Sequence, residues 1–384
     1  MTVRRVTVVG ASLAGLCTAR ALRSEGFDGQ ITLIGDELHR PYDRPPLSKE
    51  FLAGTMSTGD LGIEGTSETL DVRYLLGETA VQLLADRAVL LTGGRRVEGD
   101  AVVLATGARA RSLPLGQGLG GVHTLRTIED AAALAAELMP GRRLVVIGAG
   151  FLGAEVASTA RQLGLEVTVV EVAPIPLAAS LGVHLGAVVA RLHERAGVHL
   201  ITGSAPVALS GEGQVHEVLL GDGQRLPANV VLVAVGAVPN TEWLASCGLD
   251  VAEGVRCDAF GFTGIDGVYA VGDCAAWFDP FAGRHHRVEH WTSALERPVP
   301  IAQHIVHNVV TSKVKPSYFW SQQYDVRIQF AGTVEHHDEV SIEDGDLDSS
   351  TFLAVYRRLG EPIAVLGLNH MRLFSRWRRS LPSC

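Results

Sequence analysis

Two stretches of the chain share one order of apolar, glycine-rich and polar positions. A β-branched apolar run at residues 6–9 ends in a turn at Gly10, and a similar run at residues 144–147 ends in a turn at Gly148. An amphipathic segment follows each turn, and then a second apolar strand that ends in an acidic residue. This order predicts two Rossmann-like units, each able to bind a dinucleotide.

The second unit carries the complete glycine signature of a phosphate-binding turn. Gly148 permits the tight turn, Gly150 leaves room for a pyrophosphate to approach the backbone, and Gly153 lets the helix pack against the strand. The next strand ends at Glu171, whose carboxylate can accept hydrogen bonds from ribose hydroxyls and repels a 2′-phosphate. The loop at residues 171–179 has no arginine. The unit is therefore predicted to prefer NADH over NADPH.

The first unit has an incomplete version of the same signature. Gly10 and Gly15 occupy the first and third glycine positions, but Ser12 stands in place of the middle glycine. The following strand reaches Asp36, with Glu37 beside it as an alternative ribose-binding acid. A single turn of this kind is also found in ordinary βα units, but its repetition in the second unit favours a second dinucleotide site. Two such sites in one chain indicate electron transfer between a nicotinamide and a flavin.

Three further apolar strands end at glycine, and they indicate how the domains are arranged. The breaks fall at Thr106–Gly107, at Gly236 and at Gly272–Asp273. We expect an α/β fold in which one dinucleotide-binding domain is inserted into another. The predicted domains are an FAD-binding domain at 1–112 and 240–314, an NAD-binding domain at 113–239, and a small C-terminal α+β domain at 315–384.

The composition agrees with a multidomain enzyme. The chain has 384 residues, of which 47% are hydrophobic, with 43 glycines and a net charge of −9. A chain of this length is expected to form two or three domains. The negative charge gives no reason to expect a nucleic acid partner. No apolar stretch is long enough to span a bilayer, and residues 1–10 are predicted as a strand rather than a signal peptide, so no membrane association is expected.

The cysteines are scattered and show neither paired nor metal-ligand spacing. This indicates a reducing cytoplasm and predicts no metal site in the chain. Disulfide reductases need a cysteine pair beside the flavin, and NADH peroxidases or oxidases need one redox cysteine after the first unit. No cysteine lies between Cys17 and Cys247, which excludes both classes. The remaining cysteines are Cys257, Cys274 and Cys384.

Several local motifs, in this order, resemble those of one flavoprotein family. The segments 44–49 (RPPLSK), 150–155 (GFLGAE) and 318–324 (YFWSQQY) resemble the ferredoxin reductases of bacterial oxygenase systems, the putidaredoxin reductase and biphenyl-dioxygenase ferredoxin reductase family. The match runs from Val6 to about Asn369. It implies a glutathione-reductase-like fold with two Rossmann-like domains and a small α+β C-terminal domain. It also implies that NADH reduces FAD, and that electrons then pass to a [2Fe–2S] ferredoxin serving a cytochrome P450 or a Rieske-type oxygenase.

The resemblance implies that Lys49 and Glu155 carry the chemistry. The lysine would approach flavin N5 and stabilise negative charge on the reduced ring, and the glutamate would meet it from the NAD-domain helix. Taken alone, Lys49 could be a solvated lysine and Glu155 a residue that complements the helix dipole. Trp291 would cover the flavin edge, or it could be an ordinary core tryptophan.

The other implied residues contact the two nucleotides. Arg126 is expected at the pyrophosphate, Asp273 at the ribityl chain, and Val81 at the adenine through its backbone. The implied FAD contacts are Gly10, Ser12, Leu13, Ala14, Gly15, Asp36, Arg44, Pro46, Lys49, Val81, Thr106, Gly107, Arg126, Gly272, Asp273 and Trp291. The implied NADH contacts are Gly148, Gly150, Gly153, Glu155, Glu171 and Gly236.

Two alternatives to a ferredoxin reductase stay open at this stage. A rubredoxin reductase would differ in its partner alone. A module resembling apoptosis-inducing factor would bind FAD and NADH with little turnover. We expect a monomer or a weak homodimer.

Two sets of basic residues could form a docking surface for an acidic partner. Basic residues that could meet an acidic ferredoxin are Arg372, Arg376, Arg378 and Arg379, or Arg284, His285, His286 and Arg287.

Pro298 and Pro300 predict an interruption where the family usually begins an uninterrupted helix.

Overall fold

A computed structural model describes residues 3–65, 70–335 and 337–383; Cys384 lies outside the described residues. The strands are β1 (Arg5–Val9), β2 (Gln30–Gly35), β3 (Val72–Leu76), β4 (Ala80–Leu83), β5 (Val89–Leu91), β6 (Arg96–Val97), β7 (Ala101–Leu104), β8 (Ala108–Ala110), β9 (Val122–His123), β10 (Arg143–Ile147), β11 (Glu166–Glu171), β12 (His199–Thr202), β13 (Pro206–Glu212), β14 (Gln214–Leu220), β15 (Arg225–Pro227), β16 (Val230–Val233), β17 (Ala237–Pro239), β18 (Val255–Cys257), β19 (Val268–Ala270), β20 (Ala275–Asp279), β21 (Arg284–Arg287), β22 (Tyr318–Gln323), β23 (Val326–Gly332), β24 (Glu339–Asp346), β25 (Thr351–Arg358) and β26 (Glu361–Leu368).

The helices connect and cover these strands. The α-helices are α1 (Leu13–Ser24), α2 (Ile128–Ala135), α3 (Phe151–Gln162), α4 (Ala178–Arg195), α5 (Trp291–Glu296), α6 (Pro298–His307) and α7 (Met371–Ser380). Short 3₁₀ helices span Pro45–Ser48, Thr58–Leu61, Glu242–Leu244 and Gly272–Cys274. None of the helices in the described ranges is both long and apolar enough to cross a membrane.

Two parallel five-stranded sheets form the centres of the repeated units. The first has the order β19-β7-β1-β2-β3 and the second the order β12-β11-β10-β16-β9. In each, the strand before the glycine-rich turn lies in the middle, next to the strand that ends in an acid. The central strands are buried, as expected for parallel strands covered on both faces. The predicted α/β fold class is thus confirmed.

The two sheets acquire their outermost strand differently. In the first sheet β19 arrives from far downstream and pairs with β7. In the second, the equivalent position beside β16 is filled by β9, which precedes the unit in the chain. The connecting segments β8 and β17 pair with each other in antiparallel fashion, with Val238 opposite Arg109. The segment that leaves the first unit therefore lies beside the segment that returns from the second unit.

Smaller sheets accompany the parallel ones. The strands β4-β5-β6 and β13-β14-β15 each form an antiparallel sheet, and β20 pairs with β18 in parallel and with β21 in antiparallel orientation.

The C-terminal region is an antiparallel sheet packed on both faces. Its order is β22-β23-β26-β25-β24. Side chains alternate along β25, so Phe352 and Tyr356 join the core against α4, while Leu353 and Val355 join the core against α7. One face of this sheet is thereby fixed to the second unit through α4.

The helix interruption predicted from the prolines is present. The segment that follows β21 forms α5 and then α6, with Arg297 between them. Pro298 is the first residue of α6, where the missing backbone N–H costs no helical hydrogen bond. Both α5 and α6 contact α1, so the break lies directly behind the first unit.

Candidate active site

One cavity of about 470 Å³ opens at the carboxyl ends of β1, β2, β7 and β19. This is the edge at which parallel α/β sheets bind their ligands. Most of the residues assigned to FAD from the sequence line it. They are Gly10, Ser12, Leu13, Ala14, Asp36, Arg44, Thr106, Gly107, Arg126, Gly272, Asp273 and Trp291.

The glycines of the first turn are required by close backbone contacts. A Cβ atom at Gly10 would lie 1.9 Å from the carbonyl oxygen of Ala105, and Gly10 has a φ of +123°. A Cβ atom at Gly15 would lie 1.9 Å from the carbonyl oxygen of Gly10. The start of α1 is thereby held against the end of β1. Ser12 is the N-cap of α1, so the free N–H groups of this helix end are available for a phosphate.

The neighbouring acids Asp36 and Glu37 have different surroundings. The Glu37 carboxylate accepts hydrogen bonds from Tyr42 Oη at 2.6 Å and from Arg44 Nη2 at 2.5 Å. Asp36 is exposed at the cavity. Its carboxylate is therefore better placed for a ribose, whereas Glu37 holds Arg44 against the cavity wall.

Arg126 and Asp273 form an ion pair across the cavity. Arg126 Nη2 lies 2.6 Å from Asp273 Oδ2. Burial works against the charged guanidinium, but the Asp273 carboxylate outweighs it and raises the pKa of Arg126. The Nε atom of Arg126 is buried without a hydrogen-bond partner among the described residues. A buried donor in this state calls for an acceptor, and a pyrophosphate oxygen would supply one.

The second unit repeats the close contacts of the first. A Cβ atom at Gly148 would lie 2.4 Å from the carbonyl oxygen of Ala234, and one at Gly153 would lie 2.1 Å from that of Gly148. The Cβ positions of Gly150 and Gly236 face open space, as needed where a pyrophosphate approaches. Glu171 Oε2 accepts a hydrogen bond from the N–H of Ala149 at 2.8 Å, which fixes the acid beside the turn.

Lys49 and Glu155 meet, although the chain separates them widely. Lys49 Nζ lies 2.6 Å from Glu155 Oε2, and the two side chains are 17% and 11% exposed. Ser48 Oγ donates to the same oxygen at 2.6 Å. Lys49 follows the 3₁₀ helix Pro45–Ser48 of the first unit, whereas Glu155 lies in the first turns of α3. Glu155 lines the cavity together with Leu152 of the same helix.

Trp291 begins α5 at the edge of the cavity. Its Nε1 donates to Asp43 Oδ1 at 2.7 Å, and its ring meets Trp320 edge-on with 5.4 Å between the centroids. Burial raises the pKa of Asp43, although the hydrogen bond from Trp291 opposes this. The indole is partly exposed and oriented by a polar partner, so it is not simply a packed core residue.

Some expected residues lie apart from the main cavity, and some cavity residues were not expected. Gly15, Pro46, Lys49 and Val81 do not line it in the described part of the chain; Val81 is 44% exposed on β4. His290 also lines it. Burial lowers the pKa of His290 to about 4, so its ring is neutral at pH 7. Ser48, Asp130 and Asn240 also line it, although none of the three is among the predicted cofactor contacts.

In residues 3–65, 70–335 and 337–383, His, Cys, Asp and Glu side chains form no cluster of three or more suited to a metal ion. The sequence predicts no metal site, and this stays a prediction.

Comparison with known proteins establishes the family. The model for pyridine nucleotide-disulphide oxidoreductases matches residues 4–297, and the model described as reductase C-terminal matches residues 318–383. The chain belongs to the pyridine nucleotide-disulphide oxidoreductase family. Together with the relatives described next, this confirms the resemblance to ferredoxin reductases of oxygenase systems that the motifs indicate.

This oxidoreductase has relatives that match it along nearly its whole length. It is 37% identical over 376 residues to the ferredoxin–NAD(+) reductase component of the biphenyl dioxygenase system of Paraburkholderia xenovorans, covering 96% of this chain and 91% of the relative. It is 34% identical to putidaredoxin reductase of Pseudomonas putida, covering 95% and 88%. Its structure matches that of a covalent putidaredoxin reductase–putidaredoxin complex with a TM-score of 0.94 at 33% identity, covering 99% of this chain and 93% of the other.

Despite its family name, the oxidoreductase has no disulfide among its described residues. Cys247, Cys257 and Cys274 are free thiols, and none of the described cysteines lines the main cavity. Burial raises the pKa of the Cys257 and Cys274 thiols, so both are poor nucleophiles. The site is therefore suited to transferring electrons by way of a cofactor rather than through cysteine chemistry.

Proposed function

We propose that the protein is an NADH:ferredoxin oxidoreductase, a flavoprotein that carries out electron transfer from NADH through FAD to a [2Fe–2S] ferredoxin. This ferredoxin would serve a cytochrome P450 or a Rieske-type oxygenase. The names of the relatives support the assignment, since they include reductases of dioxygenase systems and putidaredoxin reductase. The free thiols fit a cytoplasmic enzyme, and we propose a monomer or weak homodimer.

The observation that carries this proposal is that the second unit helps to build the cavity of the first. Leu152 and Glu155 belong to the helix after the second glycine-rich turn, yet both line the cavity formed by the first. A nicotinamide held by the second unit would therefore meet a flavin held by the first. We assign FAD to residues 1–112 and 240–314, NADH to 113–239, and the third domain to 315–384.

A bound FAD would supply the redox chemistry, since a flavin can accept a hydride from NADH and release its electrons one at a time. The chain would hold it with the α1 N-terminus and Arg126 at the pyrophosphate and with Asp36 at the ribose. The Lys49 ammonium, which pairs with Glu155 of the cavity lining, would supply positive charge that stabilises the reduced ring. Glu155 neutralises that ammonium and keeps it in one position.

We propose that the acceptor side of the site is a group of aromatic and basic side chains in the C-terminal region and at Trp291. Arg378 of α7 lies over the Tyr318 ring at 3.9 Å, and Trp320 stands between Tyr318 and Trp291. Arg372, Arg376 and Arg379 are exposed on the same helix. The alternative basic set is less suitable because Arg287 turns inward to the carbonyl oxygen of Asp273. We therefore propose that the acidic ferredoxin meets α7.

The assignment is tested by anaerobic titration of the purified, FAD-loaded protein with NADH and, separately, with NADPH. Bleaching of the flavin absorbance by NADH, with NADPH much weaker, is the expected result because Glu171 repels a 2′-phosphate. Rapid multiple turnover with a [2Fe–2S] ferredoxin would then separate a reductase from a binding module. A flavin that neither nucleotide reduces would contradict the proposal.

A charge reversal on α7 tests the proposed docking side. The double variant Arg376→Glu/Arg379→Glu is expected to slow ferredoxin reduction about tenfold or more at low salt, because it removes attraction that steers an acidic partner. Reduction of ferricyanide should stay unchanged. Steady-state rates with both acceptors across a salt series provide the measurement.

The matched control reverses two other exposed arginines. Arg143 lies on β10 and Arg225 lies on β15. The double variant Arg143→Glu/Arg225→Glu changes the net charge by the same amount as the α7 variant. If both double variants slow ferredoxin reduction alike, net charge rather than α7 is responsible. Equal loss of ferricyanide reduction in the α7 variant would also contradict the docking proposal.

A further inference from the structure

The Glu155 carboxylate is held by donors from two widely separated parts of the chain. Its Oε2 atom accepts from Ser48 and Lys49 of the first unit, each at 2.6 Å. Its Oε1 atom accepts from Ser321 Oγ at 2.8 Å and from the N–H of Gln322 at 3.3 Å, both on strand β22. The C-terminal sheet therefore supplies the donors for one oxygen and the first unit supplies those for the other.

The Ser321 hydroxyl is oriented by a second buried side chain. Gln323 Nε2 donates to Ser321 Oγ at 3.0 Å, so the hydroxyl accepts from Gln323 and gives its own proton to Glu155. Ser321 is 0% exposed and Gln323 1% exposed. A buried hydrogen-bond chain of this kind fixes geometry strongly, because each member has no water to replace a lost partner.

We propose that Ser321 is a positioning residue for hydride transfer: its hydroxyl fixes the Glu155 carboxylate and, through it, the Lys49 ammonium. This inference rests on the proposed function, since it concerns the step in which NADH reduces the flavin. Without the Ser321 hydroxyl, Oε1 keeps the longer bond from Gln322, and the carboxylate can rotate away from Lys49. The C-terminal domain then contributes to the hydride site as well as to the acceptor side.

Neighbouring residues of strand β22 make contacts on both of its faces. The strand places Trp320 beside Trp291, and the next residue, Ser321, bonds to Glu155. The two side chains point to opposite faces of one strand. One rigid element therefore borders both the side where electrons would arrive and the side where they would leave.

The test compares Ser321→Ala with Ser317→Ala in the FAD-loaded protein. Ser317 is a suitable control because it precedes the same strand and its hydroxyl bonds to a backbone carbonyl, that of Gly332. Ser321→Ala is expected to slow flavin reduction by NADH about tenfold, as misplaced catalytic groups commonly do. Reoxidation of the reduced flavin by ferricyanide should remain as in the parent protein.

Lysine reactivity gives a readout that does not depend on turnover. The chain has three lysines, and Lys313 and Lys315 are exposed in the segment between α6 and β22. Under limiting acetic anhydride, Ser321→Ala should raise acetylation of Lys49 severalfold relative to Lys313, measured by peptide mass spectrometry. The Ser317→Ala variant should leave this ratio unchanged.

The outcomes separate this inference from the proposed function. Slower hydride transfer together with higher Lys49 reactivity supports the positioning role, and any other combination overturns it. A parent protein whose flavin NADH does not reduce would contradict the proposed function instead. If Ser321→Ala does not fold, Gln323→Leu removes the group that orients the hydroxyl, and both readouts should move in the same directions.

Discussion

Replacement of Lys49 by alanine is expected to slow flavin reduction by NADH about 100-fold or more, while the protein stays yellow. The ammonium lies 2.6 Å from Glu155 Oε2 and the Lys49 side chain is only 17% exposed, so water replaces the ammonium poorly. Its loss removes the positive charge that would stabilise the reduced ring and leaves the Glu155 carboxylate without its cation. Anaerobic stopped-flow mixing with NADH, followed at the flavin absorbance, measures the rate.

The control for this result is Lys313→Ala, which removes a lysine from an exposed position. It should reduce its flavin at the parent rate and bind the same amount of FAD. Unchanged stopped-flow reduction in Lys49→Ala would remove the lysine from the mechanism. Loss of the flavin itself would assign Lys49 a binding role instead.

Replacement of Gly15 by alanine is expected to produce a protein that retains little FAD. The added Cβ would lie 1.9 Å from the carbonyl oxygen of Gly10, so the start of α1 must move away from β1. The cost to the free energy of unfolding is expected to be about 1–3 kcal/mol, typical of overpacking. The ratio of flavin to protein after desalting, with a thermal melt, measures both effects.

Gly62→Ala is the matched control for the Gly15 variant. Its Cβ would meet no heavy atom within 4 Å, and Gly62 has a φ of −58°, which any residue can adopt. Both substitutions change the unfolded chain in the same way. A Gly15→Ala protein with normal FAD content and stability would show that the turn can relax, and that the contact with Gly10 does not fix the phosphate site.

The parts of the fold that depend on local pattern were predictable from the sequence. A strand, a glycine-rich turn and a helix lie within about 20 residues of one another, so the neighbours of Gly10 and Gly148 are enough to predict both turns. The close contacts at both turns have the geometry that this pattern requires. The helix break at Pro298 was predictable for the same reason, because proline acts on its own backbone.

The parts that depend on distant contacts were not predictable without the structure. The bond from Ser321 to Glu155 joins residues 166 positions apart, and no spacing rule connects them. Strand β9 has two residues and forms through its pairing with β16, so its sequence alone carries little signal. Arg287 belongs to a basic stretch of the sequence, but in the structure it donates to the carbonyl oxygen of Asp273 and to the Glu289 carboxylate. Charge along a sequence does not say which way a side chain turns.

The pairing of β8 with β17 has a consequence for how such a protein can arise. Because Ala110 lies opposite Ala237, the segment between them starts and ends at neighbouring points. A gene fragment encoding that segment could enter an ancestral single-nucleotide protein without stretching the host chain. A short linker from Ala110 to Ala237 should conversely close the host again. The paired strands thus mark a point at which a designer could exchange one nucleotide-binding module for another.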